Sequence, residues 1–193
     1  GDIKFYNAAT KTITLAAHLN VYDKTNVKGT NVEMGLLGIQ KDPDYDKNHW
    51  VYVYYSPMDT SVDRLSRFKF QNNIFDLKSE QVILNVSTER DMCCHTGGSI
   101  AFNSQGDLFV SVGDNTTPFD EIDSVTNKAY PINSHGFSPL DDRPGFRHYD
   151  DRRAAGNSND LRGKILRIKV NADGTYEIPA GNLFPKGTAK TRP

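Results

Sequence analysis

Short runs of apolar and β-branched residues recur along the chain, each closed by turn-forming residues. KTITLAA (11–17) alternates and gives way to the polar VYDKTNVKGTN. GLLGIQ (35–40) opens on glycine, and WVYVYYS (50–56) is aromatic or β-branched nearly throughout, the pattern of a strand covered on both faces. VDRLSRFKF (62–70) sets Val62, Leu65, Phe68 and Phe70 among charges, which predicts a more exposed strand. EQVILNV (80–86) follows NNIFDLKS, read as a turn. The order then repeats. GGSIAFN (97–103) resembles GLLGIQ, LFVSVG (108–113) corresponds to WVYVYYS, and Gly98 follows Gly35 by 63 residues, one cycle of four strands. A long polar segment, 115–160, interrupts the second cycle, which resumes with GKILRIKV (163–170) and TYEIP (175–179). No apolar repeat of helical period runs for three turns.

A repeating four-strand unit predicts an all-β fold, a β-propeller of four-stranded antiparallel blades, because each blade buries its faces against its neighbours. The blades are expected at 35–86 and 97–179, the second carrying the insert 115–160, within one partial domain 1–193. The N-terminal residues are expected to supply outer strands of a further blade. A closed ring takes about four to eight blades, so roughly two blades predict an incomplete ring, completed by missing blades or by other copies. A β-sandwich, whose strands recur at similar spacing, is the competing architecture.

Composition changes this picture little. The chain has 193 residues, 24% charged and 37% apolar, with a formal net charge of −1. That charge supplies no field for nucleic acid or an anionic membrane. No apolar run approaches the ~20 residues of a membrane helix.

Candidate chemistry concentrates in ERDMCCHTGGSIAF (89–102), which holds the only two cysteines, Cys93 and Cys94, followed by His95. His95 opens a strand whose side chains would face a central channel, and imidazole is the usual general base near neutral pH. A structural histidine at a strand start is the plainer account. His18, His49, His135 and His148 share no metal-site spacing. The cysteines can be buried thiols, metal thiolates or a disulfide between neighbours; a zinc site needs further ligands that the sequence does not offer. Asp42, Asp44 and Asp46 alternate, but Lys47 and Val53 stand where a calcium loop needs glycine and glutamate, so a solvated turn is expected. The insert is too rich in Asp, Arg, Asn and Gly to build a core of its own. Mutual ion pairing on the surface is expected there, with calcium or anion binding as the other reading. Asn85 and Asn115 stand in glycosylation triplets, a pattern common by chance.

Three stretches together, GLLGIQKDPDYDKNHWVYVYYS, CCHTGGSIAFNSQGDLFVSVGDNT and NDLRGKILRIKVNADGTYEIPAGNLFP, resemble the glucose/sorbosone dehydrogenase family. The resemblance implies a six-bladed propeller quinoprotein using pyrroloquinoline quinone (PQQ) and calcium to oxidise a small-molecule sugar, in a secreted or periplasmic setting. It implies His95 as the base that takes a sugar hydroxyl proton while hydride passes to the quinone. Two positions depart from the glucose-oxidising pattern. Glu33 stands where a cofactor-binding glutamine is expected, and Cys94 where an aspartate precedes the histidine. By analogy with other propeller quinoproteins, in which an adjacent-cysteine disulfide lies against the quinone, Cys93 and Cys94 are expected at the cofactor. The family's arginine-asparagine pair and its calcium ligands are expected in later blades, beyond residue 193, so the isolated chain is expected to be inactive. The alternative is a propeller that has lost the quinone and binds carbohydrate or a protein partner.

Overall fold

The computed structural model describes residues 1–23, 33–90, 94–116 and 140–183. It contains three antiparallel sheets. The first is a hairpin of β1 (Asp2–Asn7) and β2 (Thr12–His18). Its turn is held by the Asn7 side chain, whose Oδ1 accepts from the Ala9 and Thr10 amides. The second sheet runs β3 (Leu36–Lys41), β4 (Trp50–Tyr55), β5 (Val62–Gln71) and β6 (Ile74–Ser87) in sequence order. The third runs β7 (Ile100–Phe102), β8 (Leu108–Val112), β9 (Lys164–Val170) and β10 (Tyr176–Glu177), also in order. Two four-stranded meanders packed face to face, with a hairpin on the outer side, form part of a propeller.

Alternation along β4 explains the stacking. Val51, Val53 and Tyr55 join Ile3, Leu19, Val21, Phe68 and Phe75 in a core beneath the N-terminal hairpin. Tyr52 and Tyr54 point the other way, into a core with Leu65, Ile83 and Val86 and with Ile100, Leu108, Val110, Val112 and Ile168 of the third sheet. The strand expected to be covered on both faces is covered on both. The inner strands meet where Gly38 has no side chain, since a Cβ there would touch Ile100 at 3.4 Å. Arg67 ties the outer parts together: its guanidinium donates to the Asn171 and Ala172 carbonyls at 3.2 and 2.6 Å and lies 4.5 Å from the Trp50 ring centroid.

Several local expectations change. β5 is not an exposed strand: Asp63, Leu65, Ser66, Arg67 and Phe68 are all buried. It lies between two packed faces, and its charges are absorbed by partners, Asp63 by Ser56 and Arg67 by carbonyls. NNIFDLKS is mostly strand. Only Asn72 and Asn73 turn, with φ of 51° and 63°, the left-handed pair of a tight hairpin. GDIKFYN, within the N-terminal residues expected to supply outer strands, forms β1 because Ile3 has a core to enter. The aspartate-rich turn contains one short helix, α1 (Tyr45–Asn48), and Asp42 Oδ1 accepts from the Asp44 amide and the Asn48 side chain. Among the described residues no helix is long and apolar enough to cross a membrane.

Candidate functional site

Three chain segments converge at one end of the inner strands: the approach to β3, the approach to β7, and the exit from β8. β7 and β8 pair with Ile100 opposite Val110. Continuing that register toward the strand ends brings His95 opposite Asn115, and the Asn115 amide donates to the His95 carbonyl at 2.8 Å. Gly113 permits this close approach, because a Cβ there would lie 1.9 Å from the His95 carbonyl oxygen. From the β3 side, Glu33 Oε2 accepts from the His95 amide at 2.8 Å, and the Glu33 carbonyl accepts from Thr96 Oγ1 at 3.0 Å. Glu33, Cys94 and His95, placed far apart or side by side in sequence, are therefore one cluster. Cys93 lies outside the described residues.

Backbone conformation marks the same spot. Glu33, Cys94, His95 and Asn115 all have positive φ, at 49°, 82°, 54° and 54°. Non-glycine residues enter this region at a cost and hold it where surrounding bonds over-determine them. Among the described residues the remaining non-glycine cases, Lys11, His49, Asn72 and Asn73, sit in turns between secondary-structure elements.

His95 carries the exposed imidazole of the cluster. Its side chain is 42% exposed, and its Nδ1 lies 3.6 Å from Asp114 Oδ1. Burial would push the Asp114 carboxyl up, but the Thr116 amide and hydroxyl, Asp151 and His95 outweigh it and hold Asp114 below the usual carboxylate value. It is thus a fixed negative charge beside the imidazole. Among the described residues Nε2 forms no hydrogen bond, so that nitrogen is available to an incoming hydroxyl. Cys94 is 3% exposed and disulfide-bonded. The chain's one other cysteine is Cys93. Of the three readings of the doublet, the bonded one holds.

The insert approaches from behind. Its described part contains two 3₁₀ turns, Arg147–Tyr149 and Asp151–Arg153, with Tyr149 and Ala154 buried. Its ion pairs are not only mutual. Glu89 is a hub, contacted by Arg153 at 2.9 Å, Arg147 at 3.2 Å and His148 at 3.5 Å, and its amide donates to Asn115 Oδ1 at 2.6 Å. Arg153 also donates to the Asn115 carbonyl. The insert is thereby clamped to the residue opposite His95. Sequence reading missed Asp114, Asn115, Thr116 and Asp151; the antiparallel register from Gly97 to Gly113 was the available signal for the first two. Among the described residues no group of three or more His, Cys, Asp or Glu is placed to hold a metal.

Comparison with known proteins agrees with the fold. Solved structures similar to this chain include a Thermus thermophilus protein described as a glucose dehydrogenase, with 21% identity, a TM-score of 0.65, and coverage of 98% of this chain and 43% of that one. The PQQ-bound aldose sugar dehydrogenase of Streptomyces coelicolor matches with 24% identity and a TM-score of 0.56, over 95% of this chain and 42% of that one. The apo soluble aldose sugar dehydrogenase of Escherichia coli matches with 18% identity and a TM-score of 0.57, over 98% and 43%. The chain spans less than half the length of each. The profile of the glucose/sorbosone dehydrogenase family matches residues 3–148. With that match over most of its length, and with blades stacked as in these structures, the chain belongs to the glucose/sorbosone dehydrogenase family.

Proposed function

We propose that this chain is the base-carrying part of a PQQ-dependent sugar dehydrogenase, one partial propeller domain with its blades at 35–86 and 97–179. The observation that carries the reading is the exposed His95 imidazole, with the Asp114 carboxylate 3.6 Å from one nitrogen, set on a backbone held at positive φ. That is the arrangement a general base requires: the carboxylate orients the ring and stabilises the imidazolium that forms, while the other nitrogen meets the substrate. His95 takes the proton from the anomeric hydroxyl of an aldose. Bound quinone would supply the hydride acceptor. Asp114 then holds the proton on His95 by opposite charge, and Glu33 keeps the His95 backbone in place through the His95 amide.

The residues fit one side of such a cofactor. Cys94, buried and disulfide-bonded, directly precedes His95 in the chain. Glu33 and Asp114 make the described part of the site acidic, whereas the quinone itself carries carboxylates. Its cationic and calcium contacts would come from residues outside the described ones, and the chain by itself is expected to turn over no sugar. The Cys94 disulfide supports a secreted or periplasmic location, since such bonds persist in oxidising compartments.

Glu33 in place of glutamine favours a second reading, a propeller that keeps the fold and binds carbohydrate or protein without a quinone. Reconstituting the parent protein with PQQ and Ca²⁺ and following aldose-dependent dye reduction separates the two. The first reading expects quinone uptake, turnover, and a loss of about 10²-fold or more in His95→Ala. Failure to take up quinone, with no turnover across a sugar panel, would support the second.

A further inference from the structure

Asp151, from the insert, lies against the carboxylate that faces His95. Thr116 Oγ1 is 2.8 Å from Asp114 Oδ2 and 2.8 Å from Asp151 Oδ1. A threonine hydroxyl carries one hydrogen and donates to one of these oxygens only. The other contact, at the same length, becomes a full hydrogen bond when a carboxyl carries a proton and donates it to the hydroxyl oxygen. The two carboxyls also act on each other directly. Donors concentrate on Asp114, whose Oδ1 accepts from the Thr116 amide at 3.0 Å and faces His95. When the pair holds a single proton, Asp114 therefore keeps the charge and Asp151 the proton.

We propose that Asp151 is a positioning residue for His95: joined to Asp114 through the Thr116 hydroxyl, it fixes the Asp114 carboxylate toward the His95 Nδ1. The proposal rests on the reading of His95 as the base and adds to it the insert's part in the site. Among the described residues, the charged groups around the pair are few. His95 acts on both carboxyls, and Arg153 lies near Asp114 while bonded to Glu89 and the Asn115 carbonyl. Glu33 holds the His95 backbone, and Arg152, next to Asp151 in the chain, turns away to Asp150 and Asp142. Burial and the neighbouring Asp114 hold Asp151 above its ordinary value, against the opposing Thr116 bond, while Asp114 lies below its own. The pair thus releases its protons in two separate steps.

The test is a titration of the 193-residue chain by carbon NMR, following the Asp114 and Asp151 carboxyl carbons and the His95 ring. The expected result is two carboxyl steps, the upper one at Asp151, and an inflection in the His95 shifts at that upper step. Asp151→Asn should abolish both the upper step and the inflection while His95 keeps its own titration. Thr116→Val, which removes the bridging hydroxyl at similar volume, should bring the two steps closer together. Simultaneous ionisation of both carboxyls in the ordinary range, or a His95 curve unchanged in Asp151→Asn, overturns the proposal. In the parent enzyme, Asp151→Ala should lower kcat roughly tenfold with KM unchanged, and Asp151→Asn should restore most of it. The titration needs neither sugar nor quinone, so its result stands apart from whether the protein is a dehydrogenase.

Discussion

Asp63 offers a direct measure of what burying β5 costs. Its side chain is fully buried, with Oδ1 accepting from Ser56 Oγ at 2.6 Å and Oδ2 buried without a hydrogen-bond partner. Burial pushes its carboxyl from 3.8 up to about 6, against the opposing pull of the Ser56 bond and the Arg90 charge. Between those values the folded chain keeps a proton that the unfolded chain has released. Stability from this group is therefore greatest below the unfolded value and falls as pH rises through the folded one. At 1.36 kcal/mol per unit, a shift of roughly two units is worth about 3 kcal/mol. Asp63→Asn is neutral at every pH and keeps an oxygen for Ser56. Its stability relative to wild type should rise by about 3 kcal/mol between roughly pH 3.5 and 7.5, whatever its fixed offset. Urea unfolding, followed by fluorescence of the single tryptophan, Trp50, reads this difference while other carboxylates cancel. A difference between the two proteins that does not change with pH would refute the reasoning.

Leu65, fully buried between the two meanders, should cost about 2–5 kcal/mol when cut to alanine, seen as a lower urea midpoint with an unchanged slope. Gly98→Ala would set a Cβ 1.9 Å from the Ser111 carbonyl oxygen and 3.1 Å from Tyr54 Cε1, so a loss of about 3 kcal/mol is expected in thermal unfolding. Arg67→Met removes the bonds to Asn171 and Ala172 and should cost about 3 kcal/mol, with amide exchange rising first in β9 and β10.

Much of the fold was legible because its signals are local. WVYVYYS is aromatic or β-branched at every position but the last, so its burial on both faces follows from composition. The repeat of glycine-headed inner strands announced stacked blades for the same reason. β5 misled because its charges are a property of the sequence, while their partners are a property of packing: the Asn171 and Ala172 carbonyls that receive Arg67 lie more than a hundred residues away. At the site, the CCH stretch drew attention to His95 through its unusual composition. Asp114 drew none, since a lone aspartate after a strand reads as a turn.

By itself, the sequence determined the strand order, the blade repeat and the histidine to examine, all of them set by periodicity and residue type. The tertiary structure alone decided which carboxylates surround that histidine. Glu33 reaches it across 62 positions and Asp151 reaches Thr116 across 35. Such contacts depend on the register of β7 against β8 and on where the insert docks, and that docking is set by Glu89 gathering arginines from the far side of the loop. Hydrogen bonds and ion pairs act over a few ångströms, and only the folded chain brings these residues within that range.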